Sequence, residues 1–202
     1  MEPLHIGILM FDGVEELDAI GPWEVLSYWT KMYPQDGYDV LTFSKDGGGV
    51  RCAKGLIVKV DHSYRTCPPL RILVYPGGIG TLDQLSDQQQ LEWVRGESAK
   101  GTLMTSVCTG SLVFAAAGLL KGRPATTHWY SLAQLAELEP TADVRSETRY
   151  VDAGEIITSA GVSAGIDMAL HLIERCISSS RAADVAHGIE YERPLRLATE
   201  HG

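Results

Sequence analysis

The chain has 202 residues, of which 45% are hydrophobic and 21% charged, a balance typical of a folded globular protein rather than a disordered or fibrous one. This length is near the upper end for one compact domain, so we expect a single domain over residues 1–202. The formal net charge is −9, and no local cluster of lysine and arginine stands out against it. These charges argue against nucleic acid and anionic membrane surfaces as partners.

The beginning of the chain and its cysteines indicate the compartment. Residues Met1 to Met10 lack the basic flank, the long apolar run and the cleavage site of a secretory signal, and no stretch is long enough to cross a bilayer. The four cysteines lie far apart, with no C-x-x-C pair and no zinc-ligand spacing. We therefore expect no disulfides, no metal ion and a cytoplasmic location.

Apolar runs bounded by turn residues alternate with segments of helical period, the pattern of a parallel sheet covered by helices. The predicted strands are Ile6–Phe11, Tyr38–Phe43, Ile57–Val60, Ile72–Tyr75, Thr102–Val107 and Ala125–His128. The predicted helices are Asp18–Trp29, Gln88–Ala99, Ser111–Leu119 and Ser131–Leu138. The pattern predicts an α/β fold built on a doubly wound sheet.

The last third of the chain continues this pattern. Two short strands, Arg149–Asp152 and Glu155–Ser159, are predicted to form a hairpin, and Ser163–Ile177 is predicted to be a long amphipathic helix. Asp46–Gly49, with three consecutive glycines, is interpreted as a flexible turn. No Pro/Ser-rich linker, repeat or low-complexity tract indicates a second domain.

Cys108 lies where an apolar strand stops and a helix starts within two residues. Such a sharp turn projects its side chain from the carboxyl edge of the sheet, where open α/β folds bind ligands, and Gly110 allows another backbone to approach closely. The helix amides and dipole predict a thiol pKa below the ordinary value of about 8.5, and hence a nucleophile. A free cysteine is otherwise most often a small buried hydrophobe, which is our interpretation of Cys52, Cys67 and Cys176.

Two further segments are predicted to reach the same edge. Asp18 follows the first strand and precedes apolar residues, so a partly desolvated carboxyl that acts as general acid is one interpretation, and a helix cap is the other. Gly77 and Gly78 end the fourth predicted strand, where their amides can form an oxyanion hole or merely shape a loop.

A G-x-S-x-G pattern spans Gly161 to Gly165 and competes with Cys108 as a nucleophile elbow. The chain after Ser163 lacks the further strands that would carry an acid and a histidine, so Ser163 is interpreted as a helix N-cap. His128 is predicted to reach the edge of Cys108 and to orient it or bind substrate. A solvated or structural histidine is the equal alternative.

Several of these segments together resemble the DJ-1/PfpI superfamily of class I amidotransferase-like proteins, and within it the isocyanide hydratase branch. The motifs are Ser-Val-Cys108-Thr-Gly-Ser, Ala-Ala-Gly-Leu-Leu-Lys-Gly, Ala-Thr-Thr-His128-Trp, Ser-Ala-Gly-Val-Ser-Ala-Gly-Ile-Asp167, Glu-Leu-Asp18-Ala-Ile-Gly-Pro and Glu-Tyr191-Glu-Arg-Pro. The match spans nearly the whole chain.

The resemblance implies a flavodoxin-like sheet sandwiched by helices, a homodimer, and a reactive cysteine paired with an acidic residue, roles that fall on Cys108 and Asp18. The protease branch commonly has a histidine directly after its cysteine, where this chain has Thr109. This departure counts against peptidase activity and fits the hydratase pattern, in which Thr109 hydrogen-bonds near the thiolate.

The expected reaction is hydration of a small-molecule isocyanide to an N-substituted formamide through a Cys108 thioimidate, without metal or organic cofactor. Two alternatives stay open, a glyoxalase-like activity on small dicarbonyls and a non-catalytic ligand or redox sensor. The motifs also resemble the ligand-sensing half of AraC-type regulators. The acidic charge and the end of the chain at Gly202 lead us to expect no DNA-binding module.

Overall fold

The protein is described over residues 2–193 by a computed structural model. Its strands, in chain order, are β1 (Leu4–Leu9), β2 (Tyr38–Ser44), β3 (Gly49–Arg51), β4 (Ile57–Lys59), β5 (His62–Ser63), β6 (Leu70–Tyr75), β7 (Leu103–Val107), β8 (Pro124–Ala125), β9 (Asp143–Val144), β10 (Tyr150–Asp152) and β11 (Ile156–Ser159). Its α-helices are α1 (Glu16–Met32), α2 (Thr81–Gln84), α3 (Gln88–Ala99), α4 (Gly110–Ala116), α5 (Leu132–Leu138), α6 (Ala164–Cys176) and α7 (Ser179–Gly188).

A seven-stranded sheet with the order β10-β11-β7-β6-β1-β2-β5 forms the centre of the described residues. Every neighbouring pair in it is parallel except β10 and β11, which form an antiparallel hairpin at one edge. Two two-stranded sheets, β3-β4 and β8-β9, lie outside it. The predicted α/β class with a doubly wound, mainly parallel, flavodoxin-like sheet is confirmed.

Helices cover both faces of this sheet, because its inner strands alternate between two buried clusters. Ile8 of β1 belongs to the cluster shared with α1, α6 and α7, whereas the next residue, Leu9, belongs to the cluster shared with α3, α4 and α5. In β6, Val74 and Tyr75 divide in the same way. A strand buried on both faces needs apolar residues at every position, which explains why these strands were recognisable as continuous apolar runs.

Two segments that were predicted to be strands of the main sheet lie outside it. Residues Ile57–Lys59 of the predicted strand Ile57–Val60 pair instead with β3 in an antiparallel two-stranded sheet. Ile57 is 62% exposed, so this segment buries at most one of its sides. In Ala125–His128 only Ala125 is in a strand, β8. The polar groups of Thr126 and Thr127 bind Thr158, Arg145 and Cys108 instead of a strand ladder.

The other predicted elements are present with small shifts of their bounds. Gln88–Ala99 is a helix over those residues, and the hairpin and the long helix α6 are confirmed to within one residue. The helices α2 and α7 were not predicted, since α2 is one turn long and α7 carries few apolar residues. None of the helices within residues 2–193 is long and apolar enough to cross a membrane.

Candidate active site

Cys108 occupies a strained turn between β7 and α4. Its φ is 57°, in the left-handed region that non-glycine residues seldom adopt, at a cost on the order of 1–3 kcal/mol. β7 ends at the preceding residue and α4 begins two residues later, so the predicted elbow at the carboxyl edge of the sheet is present. The side chain is buried, with 6% of the residue exposed.

Hydrogen bonds on both sides of the residue hold this backbone in place. The N–H of Cys108 donates to the carbonyl of Ser159 at 3.2 Å, at the end of β11. Its carbonyl accepts from the hydroxyls of Ser111 at 3.0 Å and Thr127 at 2.9 Å. A Cβ on Gly110 would meet the carbonyl oxygen of Tyr75, so the close backbone approach expected of Gly110 exists. The surroundings therefore stabilise a backbone conformation that is unfavourable by itself.

Asp18 lies within α1 with no exposed surface. Its Oδ2 accepts the N–H of Gly77 at 3.0 Å, while its Oδ1 is buried without a hydrogen-bond partner from the described residues. The N-cap of α1 is Glu15, so the alternative of Asp18 as the helix cap is wrong. Burial raises the pKa of this carboxyl to about 7 and the charge of Glu15 adds to the rise, while the bonds from Gly77 and Cys108 oppose it.

The predicted lowering of the pKa of Cys108 is wrong. Burial raises the pKa of this thiol to about 12, and the negative charge of Asp18 contributes to the rise. Hydrogen bonds from the N–H groups of Thr109 and Val162 lower the pKa without cancelling the effect of burial. The expected helix dipole is limited by the length of α4, which has seven residues. Ionisation of Cys108 at neutral pH therefore requires a base beside the thiol. The Asp18 carboxyl lies beside it and can act as that base.

The two glycines predicted as oxyanion donors have other partners. The N–H of Gly77 donates to Asp18, and the N–H of Gly78 donates to Oγ1 of Thr109 at 3.0 Å. A Cβ on Gly77 would lie 2.6 Å from the nitrogen of Thr109 and 2.8 Å from Oδ2 of Asp18, so only glycine fits there. The prediction that these two N–H groups form an oxyanion hole is therefore wrong. They hold the side chains of Asp18 and Thr109 in place and are not free to bind a substrate.

Thr109 acts on the thiol through its backbone, since its N–H lowers the pKa of Cys108. Its hydroxyl oxygen accepts from the N–H of Gly78 and from Oγ1 of Thr81, each at 3.0 Å. A hydrogen bond from Thr109 to the thiolate stays a prediction.

Val162 was missed as part of the site. It follows β11, and its backbone N–H lowers the pKa of both Asp18 and Cys108. Its φ of 53° is unusual for a β-branched residue. The G-x-S-x-G pattern was the available signal, since that pattern marks a strained strand-to-helix turn whatever its nucleophile. Here the turn supplies a backbone donor instead of a serine.

Ser163 and His128 flank this turn. Ser163 is the N-cap residue of α6, as predicted, although its side chain makes no capping hydrogen bond. Its hydroxyl oxygen instead accepts a hydrogen bond from Nη2 of Arg149 at 3.1 Å. The His128 ring packs against Gly161, and its Nδ1 accepts the N–H of Tyr130 at 3.3 Å. Within residues 2–193 no hydrogen bond joins His128 to Cys108, so a role of His128 toward the thiol or substrate stays a prediction. Thr127, the residue before it, contacts the elbow instead.

The remaining candidates for chemistry are few. All four cysteines are free thiols, and the pKa values of Cys52, Cys67 and Cys176 are raised by burial. Over residues 2–193, no group of three or more His, Cys, Asp or Glu side chains is arranged to hold a metal ion. The carboxyl edge with Cys108, Asp18 and the amides of Thr109 and Val162 is therefore the candidate active site.

A parallel α/β sheet that carries a strained cysteine elbow beside a buried carboxyl defines the class of this protein. The chain belongs to the DJ-1/PfpI family, whose model matches residues 5–175. It is 37% identical over 189 residues to an isonitrile hydratase of Pseudomonas putida, a match that covers 93% of this chain and 78% of that protein. The resemblance predicted from the motifs is confirmed at the level of the family.

A solved structure supports the same assignment. A ThiJ/PfpI family protein from Pseudomonas syringae superposes with a TM-score of 0.84 at 31% identity, covering 100% of this chain and 80% of that one. DJ-1beta of Drosophila melanogaster superposes with a TM-score of 0.82 at 21% identity, covering 95% of this chain and 100% of that one, and shows the shared fold.

Transcriptional regulators are also similar to this chain. The HTH-type regulator CdhR of Pseudomonas aeruginosa is 33% identical over 203 residues, covering 96% of this chain and 59% of that protein. GbdR, from the same species, is 28% identical, with 98% of this chain and 53% of that protein covered. This chain thus spans between half and three fifths of the length of those regulators.

Proposed function

We propose that this protein is an isocyanide hydratase, which adds water to an isocyanide and releases an N-substituted formamide. Isonitrile is another name for the isocyanide group, so the similarity to an isonitrile hydratase names the substrate class. The observation that carries the proposal is the buried contact between Cys108 and Asp18, since the reaction needs one nucleophile and one proton carrier beside it.

Formation of the thioimidate is the first step. Above pH 7 the pair holds one proton on sulfur, because the pKa of Cys108 is raised to about 12 and that of Asp18 only to about 7. As the sulfur attacks the terminal carbon of the isocyanide, its proton passes to Asp18 and from there to that carbon. The product is a thioimidate, with a new S–C bond and a new C–H bond. The N–H groups of Thr109 and Val162 stabilise negative charge on the sulfur during the attack.

Hydrolysis is the second step. The Asp18 carboxylate takes a proton from water as the oxygen adds to the thioimidate carbon, and the proton goes to the nitrogen. The tetrahedral adduct then collapses, the C–S bond breaks, and the hydroxyl proton returns to the sulfur through Asp18. Atoms balance, since one isocyanide and one water give one formamide and the starting thiol. These steps use no metal or organic cofactor.

We extend the proposal to a homodimer in the cytoplasm. Four large apolar side chains near the site are more than half exposed on this chain: Ile79, Leu82, Trp129 and Tyr130. Apolar surface of this kind is commonly covered by a partner subunit. The four free thiols are consistent with a reducing compartment. Light scattering of the purified protein measures the oligomeric state, and a monomer at micromolar concentration would contradict the dimer.

A matched substrate series tests the proposal. The wild type, Cys108→Ala and Cys176→Ala as control are each assayed with an aryl isocyanide, with methylglyoxal and with a chromogenic peptide. We expect many turnovers of the isocyanide for the wild type and the control, none for Cys108→Ala, and no peptide hydrolysis. Turnover of methylglyoxal alone would indicate a glyoxalase-like enzyme. Binding without any turnover would favour a ligand sensor, the role that the similarity to the regulators suggests.

A further inference from the structure

A cavity lies at the amino edge of the sheet, opposite to the carboxyl edge that carries Cys108. It has a volume of about 410 Å³, and its walls include residues at the amino ends of three parallel strands, namely Tyr38 of β2, Arg71 of β6 and Leu103 of β7. β7 runs from this cavity to the elbow, a distance of about 16 Å at roughly 3.3 Å per residue. The cavity is therefore separate from the candidate active site.

The cavity carries a local surplus of positive charge in a chain of net charge −9. Arg71 and Arg175 both line it. Arg175 forms an ion pair with Asp152, with 2.8 Å between Nη1 and Oδ1. Arg71 forms no ion pair within residues 2–193 and interacts with the phenol of Tyr38. Glu155 also lines the wall, but its side chain is 86% exposed and pairs with Arg123 at 3.5 Å.

Two hydroxyl groups share the walls of the cavity with the guanidinium groups of Arg71 and Arg175. Tyr38 and Ser98 line the cavity, and burial raises the pKa of Tyr38 to about 12, so its phenol is a neutral donor at physiological pH. A guanidinium fork binds two oxygens of a phosphate or of a carboxylate, and the hydroxyl donors add hydrogen bonds that only the further oxygens of a phosphate can accept.

We propose that this cavity binds a small molecule that carries a phosphate group, held between Arg71 and Arg175. The volume exceeds that of a bare phosphate ion and falls in the range of small-ligand pockets. The remaining space, bordered by Ile72 and Leu103, takes the organic part of the ligand. The proposal is independent of the reaction at Cys108.

Thermal unfolding in inorganic phosphate, against chloride and acetate at equal ionic strength and pH, tests the proposal. We expect a saturable rise of the melting temperature of about 3–5 °C at ten times the dissociation constant of phosphate. Arg71→Gln removes the saturable rise and Arg71→Lys reduces it, while the matched control Arg95→Gln, on an exposed part of α3, retains it. Phosphate also stabilises proteins without binding, but that effect does not saturate and is equal in all variants.

Cys176, in the wall of the cavity, supplies a second measurement. At alkaline pH, phosphate at ten times its dissociation constant is expected to slow alkylation of Cys176 about tenfold, because one molecule in about eleven stays unoccupied. Alkylation of Cys108 in the same sample stays unchanged and serves as the internal control. An equal temperature rise in Arg71→Gln, an equal response to acetate, or unchanged alkylation of Cys176 would each overturn the proposal.

Discussion

The carboxyl of Asp18 and the thiol of Cys108 change each other's ionisation at the carboxyl edge of the sheet. Burial is the largest cause of the raised pKa of both groups, and the contact between them lowers the pKa of Asp18 and raises that of Cys108 further. Above pH 7 the pair therefore holds one proton, mainly on the sulfur, beside a carboxylate that can accept it. Reactivity of the cysteine then depends on Asp18 rather than on the intrinsic acidity of the thiol.

Asp18→Asn is expected to lower turnover of the isocyanide by about 10²–10⁴-fold, because an amide can neither accept nor deliver the proton. Asp18→Glu keeps part of the activity, since the carboxyl remains but is displaced. Steady-state kinetics, with circular dichroism to check the fold, measure both. An Asp18→Asn protein with full activity would show that another group, with His128 first among the candidates, carries the proton.

Alkylation of Cys108 is expected to follow the ionisation of Asp18. The rate with iodoacetamide should rise with pH through about 7, where Asp18 becomes a base, and not only near 12, where the thiol ionises alone. In Asp18→Asn the step near 7 disappears. Peptide mass spectrometry of a pH series gives the rates.

The other three cysteines are the controls in the same digest. Burial raises the pKa values of Cys52, Cys67 and Cys176, and no carboxyl within residues 2–193 is hydrogen-bonded to their sulfurs, so their rates should rise only at alkaline pH. If Cys108 followed the same curve as these residues, the assignment of Asp18 as its base would fail.

Gly110→Ala is expected to destabilise the protein by about 1–3 kcal/mol, because the added methyl group meets the backbone carbonyls of Tyr75 and Pro76, which cannot rotate away. Gly96→Ala in α3 is the matched control. A Cβ there has no neighbour within 4 Å, so we expect a gain of about 0.5–1 kcal/mol from the helical backbone. Urea unfolding measures both, and equal effects would contradict the tight approach at the elbow.

Arg149→Gln is expected to destabilise the protein by about 2 kcal/mol, because it leaves the buried carboxylate of Asp167 without its ion pair at 2.6 Å. The pair joins the residue before β10 to the first turn of α6, next to Val162, so the alkylation rate of Cys108 should also fall. Asp167→Asn added to this variant should restore part of the stability. A fall in stability with unchanged alkylation would limit the pair to a structural role.

The layered α/β class and the elbow followed from the sequence alone, because both depend on local patterns. A strand such as β6, buried on both faces, needs a continuous apolar run, and helices such as α3 show their period directly. Cys108 was found because a strand and a helix meet within two residues, and Asp18 because it follows a neighbouring parallel strand.

The ionisation of these groups depends on contacts between segments far apart in the chain. The sequence predicted a lowered pKa for Cys108 from the helix that follows, but desolvation and the charge of Asp18 come from distant elements and outweigh the effect of that helix. The partners of Gly77 and Gly78 were hidden for the same reason, since the sequence does not show which group a backbone N–H binds. Its direction is fixed only when the loops after β6, β7 and β11 pack at one edge of the sheet.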